Sequence, residues 1–323
     1  MSKPKVVITR RWPDEAEARA KELFDVQLNE DDHPMSVEEL QEALKTADAV
    51  CPTVSDAVSA EVLSADPMQC KILGNYGVGF NHIDLDAAKK RDLVVTNTPE
   101  VLTDCTADIA MLLMLMVARR GGEGERHVRN KEWTGWRPTH MMGTKVTGKT
   151  LGLIGMGRIA RAMAHKAHHG FDMKILFTDP YPPPKEVIEN LNAEQRDTPE
   201  DVLREADFVS LHCPGGEETY HLLNEQRIKM MQPHAFLINS ARGDVVDSKA
   251  LINALKSGTI AGAGLDVYEG EPNVQEEFLT MDNVVLFPHL GSASLETRVA
   301  MGLRAIENVK AFFDGEKPRD RVV

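Results

Sequence analysis

The chain has 323 residues, enough for two domains that each bury a core, and it carries 50 Asp and Glu against 37 Lys and Arg, a formal net charge of −13. That balance excludes broad binding to nucleic acid or to anionic membrane surfaces, which need clustered cations, so an anionic ligand has to be met by a local site. The cysteines, Cys51, Cys70, Cys105 and Cys213, lie far apart. They form neither a disulfide framework nor a zinc spacing and fit a reduced, cytoplasmic setting.

The opening "MSKPKVVITR" has no long apolar run behind its basic residues and does not read as a signal peptide. The first hundred residues alternate β-rich runs, "KVVIT", "DVQLN", "DAVCPT", "KILGNYG" and "LVVTNT", with helical segments such as "SVEELQEALKTA". This rhythm predicts parallel βαβ units with five strands. From 103 to 120 the pattern becomes one long helix, which "RGGEGE", with Gly121, Gly122 and Gly124, is expected to end. Its apolar stretch "IAMLLMLMVA", bounded by Asp108 and Arg119, is too short to span a bilayer and reads as a buried helix.

Alternation then restarts with "KTLGLIG", "MKILFTDP", "DFVSLHCP", "AFLINS", "AGAGLDV" and "NVVLFPH", predicting a second α/β unit of six strands. The prolines of "DPYPPPKEV" mark a surface loop. The segment "SLETRVAMGLRAIENVKAFFDGE" has helical spacing and is expected to pack back on the first unit, which makes that domain discontinuous. The expected fold class is therefore α/β, with two Rossmann-like or flavodoxin-like domains on parallel sheets. The first comprises 1–99 plus 290–323, and 100–289 are inserted in it.

"TLGLIGMGRIARAMAHKA" reads strand, tight turn, helix, with Gly155, Gly157 and Ala160 in a G-x-G-x-x-A pattern. Glycines after a strand can simply make a turn. Here Gly155 permits the turn, Gly157 admits a pyrophosphate to the backbone, Ala160 allows close helix packing, and the helix N-terminus offers free N–H groups. The next strand ends in Asp179, placed to hydrogen-bond both ribose hydroxyls of an adenosine half, where a 2′-phosphate would meet a like charge. NAD is the preferred cofactor. NADP stays as the second reading, because Arg158 or Lys174 could help a phosphate, and an ordinary turn between Asp179 and Pro180 is the bland alternative.

Arg242 in "NSARGDVVD", Glu271 in "GLDVYEGEP" and His289 in "FPHLGSAS" all follow predicted strands of the second unit. Each alone has an ordinary explanation: a surface ion pair, a solvated carboxylate, a structural histidine. In an open α/β sheet, ligands sit beyond the carboxyl ends of the strands, so the three can converge near a nicotinamide. Together they suit carbonyl reduction by hydride. His289 donates a proton to the developing alkoxide, Glu271 favours the protonated imidazole, and Arg242 grips a carboxylate and carbonyl oxygen in two-pronged fashion.

"TNTPEVLTDCTADIAMLLML", "LGLIGMGRIA", "INSARGDVVD", "AGAGLDVYEGEP" and "FPHLGSAS" resemble the D-2-hydroxyacid dehydrogenase family, in particular its glyoxylate and hydroxypyruvate reductase branch, over nearly the whole chain. The resemblance implies that the first domain binds substrate and the inserted one NAD, and that Arg242, Glu271 and His289 are catalytic. It implies cofactor contacts from Thr106, Gly155, Met156, Gly157, Arg158, Ile159, Asp179, Cys213, Pro214, Ser240, Ala241, Asp266, His289 and Gly291. Substrate contacts are implied for Arg242, His289 and the Gly-rich loop "NYGVGFNHID", through Tyr76, Val78 and Gly79. It further implies a homodimer through the second domain and closure of an interdomain cleft.

The chain departs from the family pattern at Asn81, where relatives usually carry Asp. It departs also at His140, where mammalian glyoxylate reductases place a Trp that reaches a neighbouring subunit's site, and at Cys105, where Ala is usual. His165, His168 and His169 share part of a helix face, but no carboxylate or cysteine accompanies them and hydride chemistry needs no metal, so no metal site is expected. Trp133, Trp136, Met141 and Met142 fit packing at a domain or subunit boundary. The expected activity is NAD(H)-dependent reduction of a small anionic 2-keto acid, such as glyoxylate or hydroxypyruvate, to the D-2-hydroxy acid. The alternatives are a phosphoglycerate or phosphite dehydrogenase, or an NADH-sensing corepressor. Formate-oxidising relatives, which carry Gln at the Glu271 position, are disfavoured.

Overall fold

Short runs, most of them apolar and rich in Val, Ile and Leu, alternate with helices and build two sheets in which every paired strand is parallel. The computed structural model describes residues 3–323. They divide into two units, one running to Leu102 and resuming at Ala293–Val323, the other Thr103–Ser292.

The first unit contains β1 (Lys5–Ile8), β2 (Asp25–Leu28), β3 (Ala49–Cys51), β4 (Ile72–Gly74) and β5 (Val94–Thr96). Their order, β2-β1-β3-β4-β5, is that of a doubly wound sheet. The helix Val37–Thr46 starts on a reciprocal cap: Ser36 Oγ accepts the Glu39 N–H and the Glu39 carboxylate accepts the Ser36 N–H. The late helix Leu295–Phe313 packs against Asp14–Leu23 and β4, so this unit is discontinuous in sequence. The chain's last residues then close the free edge of β5, with the Val322 N–H donating to Val95 O and the Val95 N–H to Val323 O.

The second unit contains β6 (Thr150–Ile154), β7 (Lys174–Thr178), β8 (Ala193–Gln195), β9 (Phe208–Leu211), β10 (Phe236–Asn239), β11 (Gly262–Leu265) and β12 (Val284–Leu286). Their order is β12-β11-β10-β9-β6-β7-β8, which puts the topological switch between β6 and β9. Six strands were expected and seven form. The extra one, β8, is an edge strand paired only to β7, and its Glu194 and Gln195 are exposed, so its sequence carries no apolar alternation.

The long helix also differs from expectation. It ends at Ala118, and Gly121, Gly122 and Gly124 lie inside a second helix, Gly121–Arg129. The stop is made by Arg120, whose backbone takes a left-handed φ of +53°, while the Thr144 N–H satisfies the Ala118 carbonyl at 2.7 Å and Glu123 pairs with the Arg120 guanidinium. Helix Thr103–Ala118 is largely buried, as expected, against β10, β11 and the helix Arg158–Phe171. Among the described residues no helix is long and apolar enough to cross a membrane.

Both faces of the second sheet are apolar. Leu151, Leu153, Phe208 and Ile238 join the core under helix Thr103–Ala118, while Ile154, Val209, Leu211 and Leu237 join the core on the opposite face. Leu113, fully buried, faces the side-chain-free Gly264 of β11, where an added Cβ would lie 2.9 Å from the leucine's own. Leu113→Ala leaves a cavity there and is expected to destabilise the protein by about 2–5 kcal/mol, read as a lower urea midpoint.

Candidate active site

Parallel strands deliver their following loops to one edge of the sheet, and the expected site residues lie on these loops: Gly155 after β6, Asp179 after β7, Cys213 after β9, Arg242 after β10, Asp266 after β11 and His289 after β12. At the turn after β6, Gly155 has φ +93° and its N–H donates to Thr178 O at 2.9 Å. A Cβ there would sit 2.8 Å from the His212 carbonyl carbon, so this position tolerates only glycine. Gly157 caps the helix Arg158–Phe171 without a side-chain cap, and the space a Cβ would fill is open. Ala160 is fully buried, Ile159 half-buried and Arg158 exposed.

Asp179 closes one side of this cradle, accepting the Met156 N–H at 2.6 Å and the Tyr181 N–H at 2.7 Å on different oxygens. Each oxygen keeps a second lone pair for a donor. On the β9 side, burial pushes the Cys213 thiol up to about 11, so it stays protonated; Pro214 beside it is exposed. Beneath them burial holds His212 down to about 4, a neutral imidazole bonded to Ser210 Oγ at 2.9 Å. Among the described residues nothing partners the buried Ser240 hydroxyl, next to Ala241 at the end of β10. An uncapped helix start, open space at Gly157 and an orphaned Ser240 hydroxyl are what a dinucleotide's pyrophosphate and amide would satisfy, so these residues fit such a group.

The Arg242 loop is held from two directions. Asn239 Nδ2 donates to Arg242 O at 2.8 Å and its Oδ1 accepts the Ala241 N–H at 3.0 Å. Gly243 presses on the neighbouring loop so closely that a Cβ would lie 1.9 Å from the Tyr268 carbonyl carbon. The Arg242 guanidinium donates to Ala241 O at 2.6 Å. Burial lowers its pKa, opposed by the charges of Glu271 and Asp244, and an arginine so placed still carries its charge at neutral pH.

Glu271 Oε1 accepts the Tyr268 N–H at 2.9 Å, and Oε2 lies 2.9 Å from His289 Nδ1. Burial works to raise the Glu271 pKa, but the hydrogen bond and charge of His289, with Arg242 behind them, hold it below the usual carboxylate range. His289 has a left-handed φ of +54°. That bend is pinned by Asp266, whose carbonyl accepts the His289 N–H at 2.9 Å and whose carboxylate accepts the Leu290 and Gly291 N–H groups at 2.6 and 2.8 Å. Burial raises the Asp266 pKa against those bonds. A Cβ on Gly291 would meet Thr106 and Asp266 at 3.3–3.4 Å, so these three expected residues cluster. With Nδ1 committed to Glu271, Nε2 is the ring nitrogen left for a ligand.

In the first unit, Val78 and Gly79 are half-exposed on the loop after β4. Tyr76, two residues earlier on the same loop, turns its side chain into the unit. Its ring lies tilted by 40° against Trp12 with centroids 4.8 Å apart, its hydroxyl donates to Arg298 O at 2.6 Å and its N–H to Pro52 O, which leaves the side chain buried with its donors spent. His140 lies against His127 at 5.1 Å, and Trp133, Trp136 and Met142 in the same stretch of chain are exposed. Cys105 is half-buried in the first turn of its helix, and nothing in the structure explains the residue chosen. The rings of His165 and His168 flank His169 at 4.5 and 4.8 Å, and among the described residues no three His, Cys, Asp or Glu side chains are grouped to hold a metal ion. Asn239 was missed in the sequence reading; the signal was a polar residue ending an otherwise apolar strand.

Residues 111–291 match the family model described as D-isomer specific 2-hydroxyacid dehydrogenase, NAD binding domain. The chain is 45% identical over 320 residues to a glyoxylate reductase of Thermococcus onnurineus, covering 98% of this chain and 95% of that one. It is 40% identical over 315 residues to a glycerate dehydrogenase of Hyphomicrobium methylovorum, covering 98% of each. Its structure superposes with a TM-score of 0.88, at 32% identity, on an NADPH-dependent glyoxylate/hydroxypyruvate reductase from Sinorhizobium meliloti solved with NADP and malonate, covering 100% of this chain and 97% of that one. With the dinucleotide cradle, the strand-end residues and full-length relatives in agreement, the chain belongs to the D-isomer specific 2-hydroxyacid dehydrogenases, oxidoreductases built around an NAD binding domain.

Proposed function

We propose that the protein reduces a small 2-keto acid of the glyoxylate or hydroxypyruvate type to the D-2-hydroxy acid, using NADH. The observation that carries this reading is the Glu271 Oε2 to His289 Nδ1 contact of 2.9 Å, on the sheet edge that also holds Arg242 and the Gly155 turn. The nicotinamide supplies the hydride when bound. The helix start at Arg158 and the Met156–Ile159 turn hold the pyrophosphate, Thr106, Cys213, Pro214, Ser240, Ala241, Asp266 and Gly291 line the rest of the cofactor, and Asp179 accepts the adenosine ribose hydroxyls.

Arg242 binds the keto acid through carboxylate and carbonyl oxygen, while the Val78 and Gly79 N–H groups hold the carboxylate. As negative charge builds on the carbonyl oxygen, His289 Nε2 delivers a proton to it, and the Glu271 carboxylate stabilises the imidazolium before transfer. The glyoxylate reductase and glycerate dehydrogenase relatives support a two- or three-carbon substrate. The same reading makes the protein a cytoplasmic homodimer joined through the NAD-binding unit, whose exposed Val128, Trp133, Trp136 and Met142 are side chains such an interface would cover.

A panel of 2-keto acids assayed with NADH and NADPH tests the reading, and absence of turnover with every member would defeat it. Asp179→Ala should narrow the preference for NADH over NADPH by about tenfold or more, measured as the ratio of kcat/KM values. Arg242→Ala is expected to raise KM and lower kcat for the keto acid while the NADH dissociation constant holds steady in a fluorescence titration. Because Glu271 is a carboxylate held below its ordinary pKa, its charge is present throughout the neutral range. Glu271→Gln removes it, so the pH at which kcat/KM for reduction falls off on the alkaline side should move to lower pH.

A further inference from the structure

The loop after β4 is wired so that its carbonyls face inward. Gly77 O accepts the Thr98 N–H at 3.0 Å and Asn75 Nδ2 at 3.1 Å, Val78 O accepts Asn97 Nδ2 at 2.8 Å, and Gly79 O accepts Asn75 Nδ2 at 3.0 Å. In a trans peptide the C=O and the following N–H point in opposite directions. Tying the carbonyls of Gly77 and Val78 to the protein therefore turns the N–H groups of Val78 and Gly79 away from it. Among the described residues neither N–H has a protein acceptor. Successive outward N–H groups of this kind make a concavity for an anion.

The amides that impose this arrangement are themselves anchored. Asn75 is fully buried, and its Oδ1 lies 3.0 Å from His82 Nε2. Asn97 is held by the C-terminal tail and the helix Leu295–Phe313: its N–H donates to Asp320 O at 3.1 Å and its carbonyl accepts Asn308 Nδ2 at 3.3 Å. Asn308 and Asp320 bond each other twice, at 2.9 and 3.1 Å, and Arg304 grips the Asp320 carboxylate with two nitrogens. An unbroken series of contacts thus runs from Arg304 through the tail to the Val78 carbonyl.

We propose that Asn97, locked by Asp320 and Asn308, is a positioning residue that aims the Val78 and Gly79 N–H groups at the substrate's carboxylate, so that the C-terminal tail sets substrate affinity. This rests on the reading above that those two N–H groups meet the carboxylate. Asn97→Asp puts an acceptor against the Val78 carbonyl in place of a donor, and Asp320→Ala frees the tail.

The test is glyoxylate reduction at saturating NADH, with oxalate as a non-reacting carboxylate probe, NADH affinity by fluorescence, and thermal melting as the check on folding. Asn97→Asp should raise KM for glyoxylate and the inhibition constant of oxalate about tenfold or more, with a smaller change in kcat and unchanged NADH affinity. Asp320→Ala should move the same two constants in the same direction by less. Should Asn97→Asp fail to fold, Asn97→Ser, smaller and uncharged, carries the same expectation. Folded variants with unchanged KM and oxalate inhibition overturn the proposal, as does an equal loss of NADH affinity, which would mark a general structural effect. A wild-type protein that turns over no 2-keto acid and binds no oxalate instead overturns the functional reading and this proposal together; an active wild type with indifferent Asn97 variants overturns this proposal alone.

Discussion

Parallel pairing in the second sheet is the constraint on which the rest depends. Because every strand enters from the same side, every following loop emerges on the same edge, and residues as distant in sequence as Gly155 and His289 are brought to one edge of one sheet. The arrangement also leaves strand-end backbone groups in need of partners, and buried polar side chains supply them. Asn239 ties down the Arg242 loop and Asp266 ties down the His289 loop, each using both of its side-chain polar atoms on backbone. Interiors penalise such groups when unpaired, so full satisfaction rigidifies the loops they hold.

That rigidity bears directly on electrostatics. A guanidinium withdrawn from water is held in place only if opposite charge and hydrogen bonding offset its desolvation, and Arg242 has Glu271 and Asp244 for the first and the Ala241 carbonyl for the second. Glu271 accepts hydrogen bonds from the Tyr268 N–H and from His289 and faces the Arg242 charge, which is why burial fails to neutralise it. The pair of Glu271 and His289 therefore presents a defined ring nitrogen, and Arg242 a charge already stripped of most of its water. Both conditions suit recognition of a small carboxylate in an acidic protein.

Much of this was legible in the sequence because the signals are local. The apolar runs of β6, β7 and β9 to β12, the glycines at 155 and 157, and the cation after β10 each declare themselves within a few residues. Weakly patterned elements did not. β8 exists through backbone pairing with β7 while its side chains face water, and the end of helix Thr103–Ala118 is made by a left-handed Arg120, a conformation few sequences advertise. The burial of Tyr76 against Trp12 and Arg298 was not legible either, because it depends on a helix more than two hundred residues downstream.

The sequence by itself determined the alternation of strands and helices, the glycine turn after β6, and the placement of Arg242, Glu271 and His289 beyond strand ends, since these follow from periodicity and glycine stereochemistry. Tertiary structure alone decided which nitrogen of His289 faces Glu271, how far burial shifts Arg242 and Asp266, and which carbonyls of the Val78 loop are turned inward. Those properties belong to contacts between segments far apart in the chain, where distance, orientation and solvent exclusion are created only when the core closes.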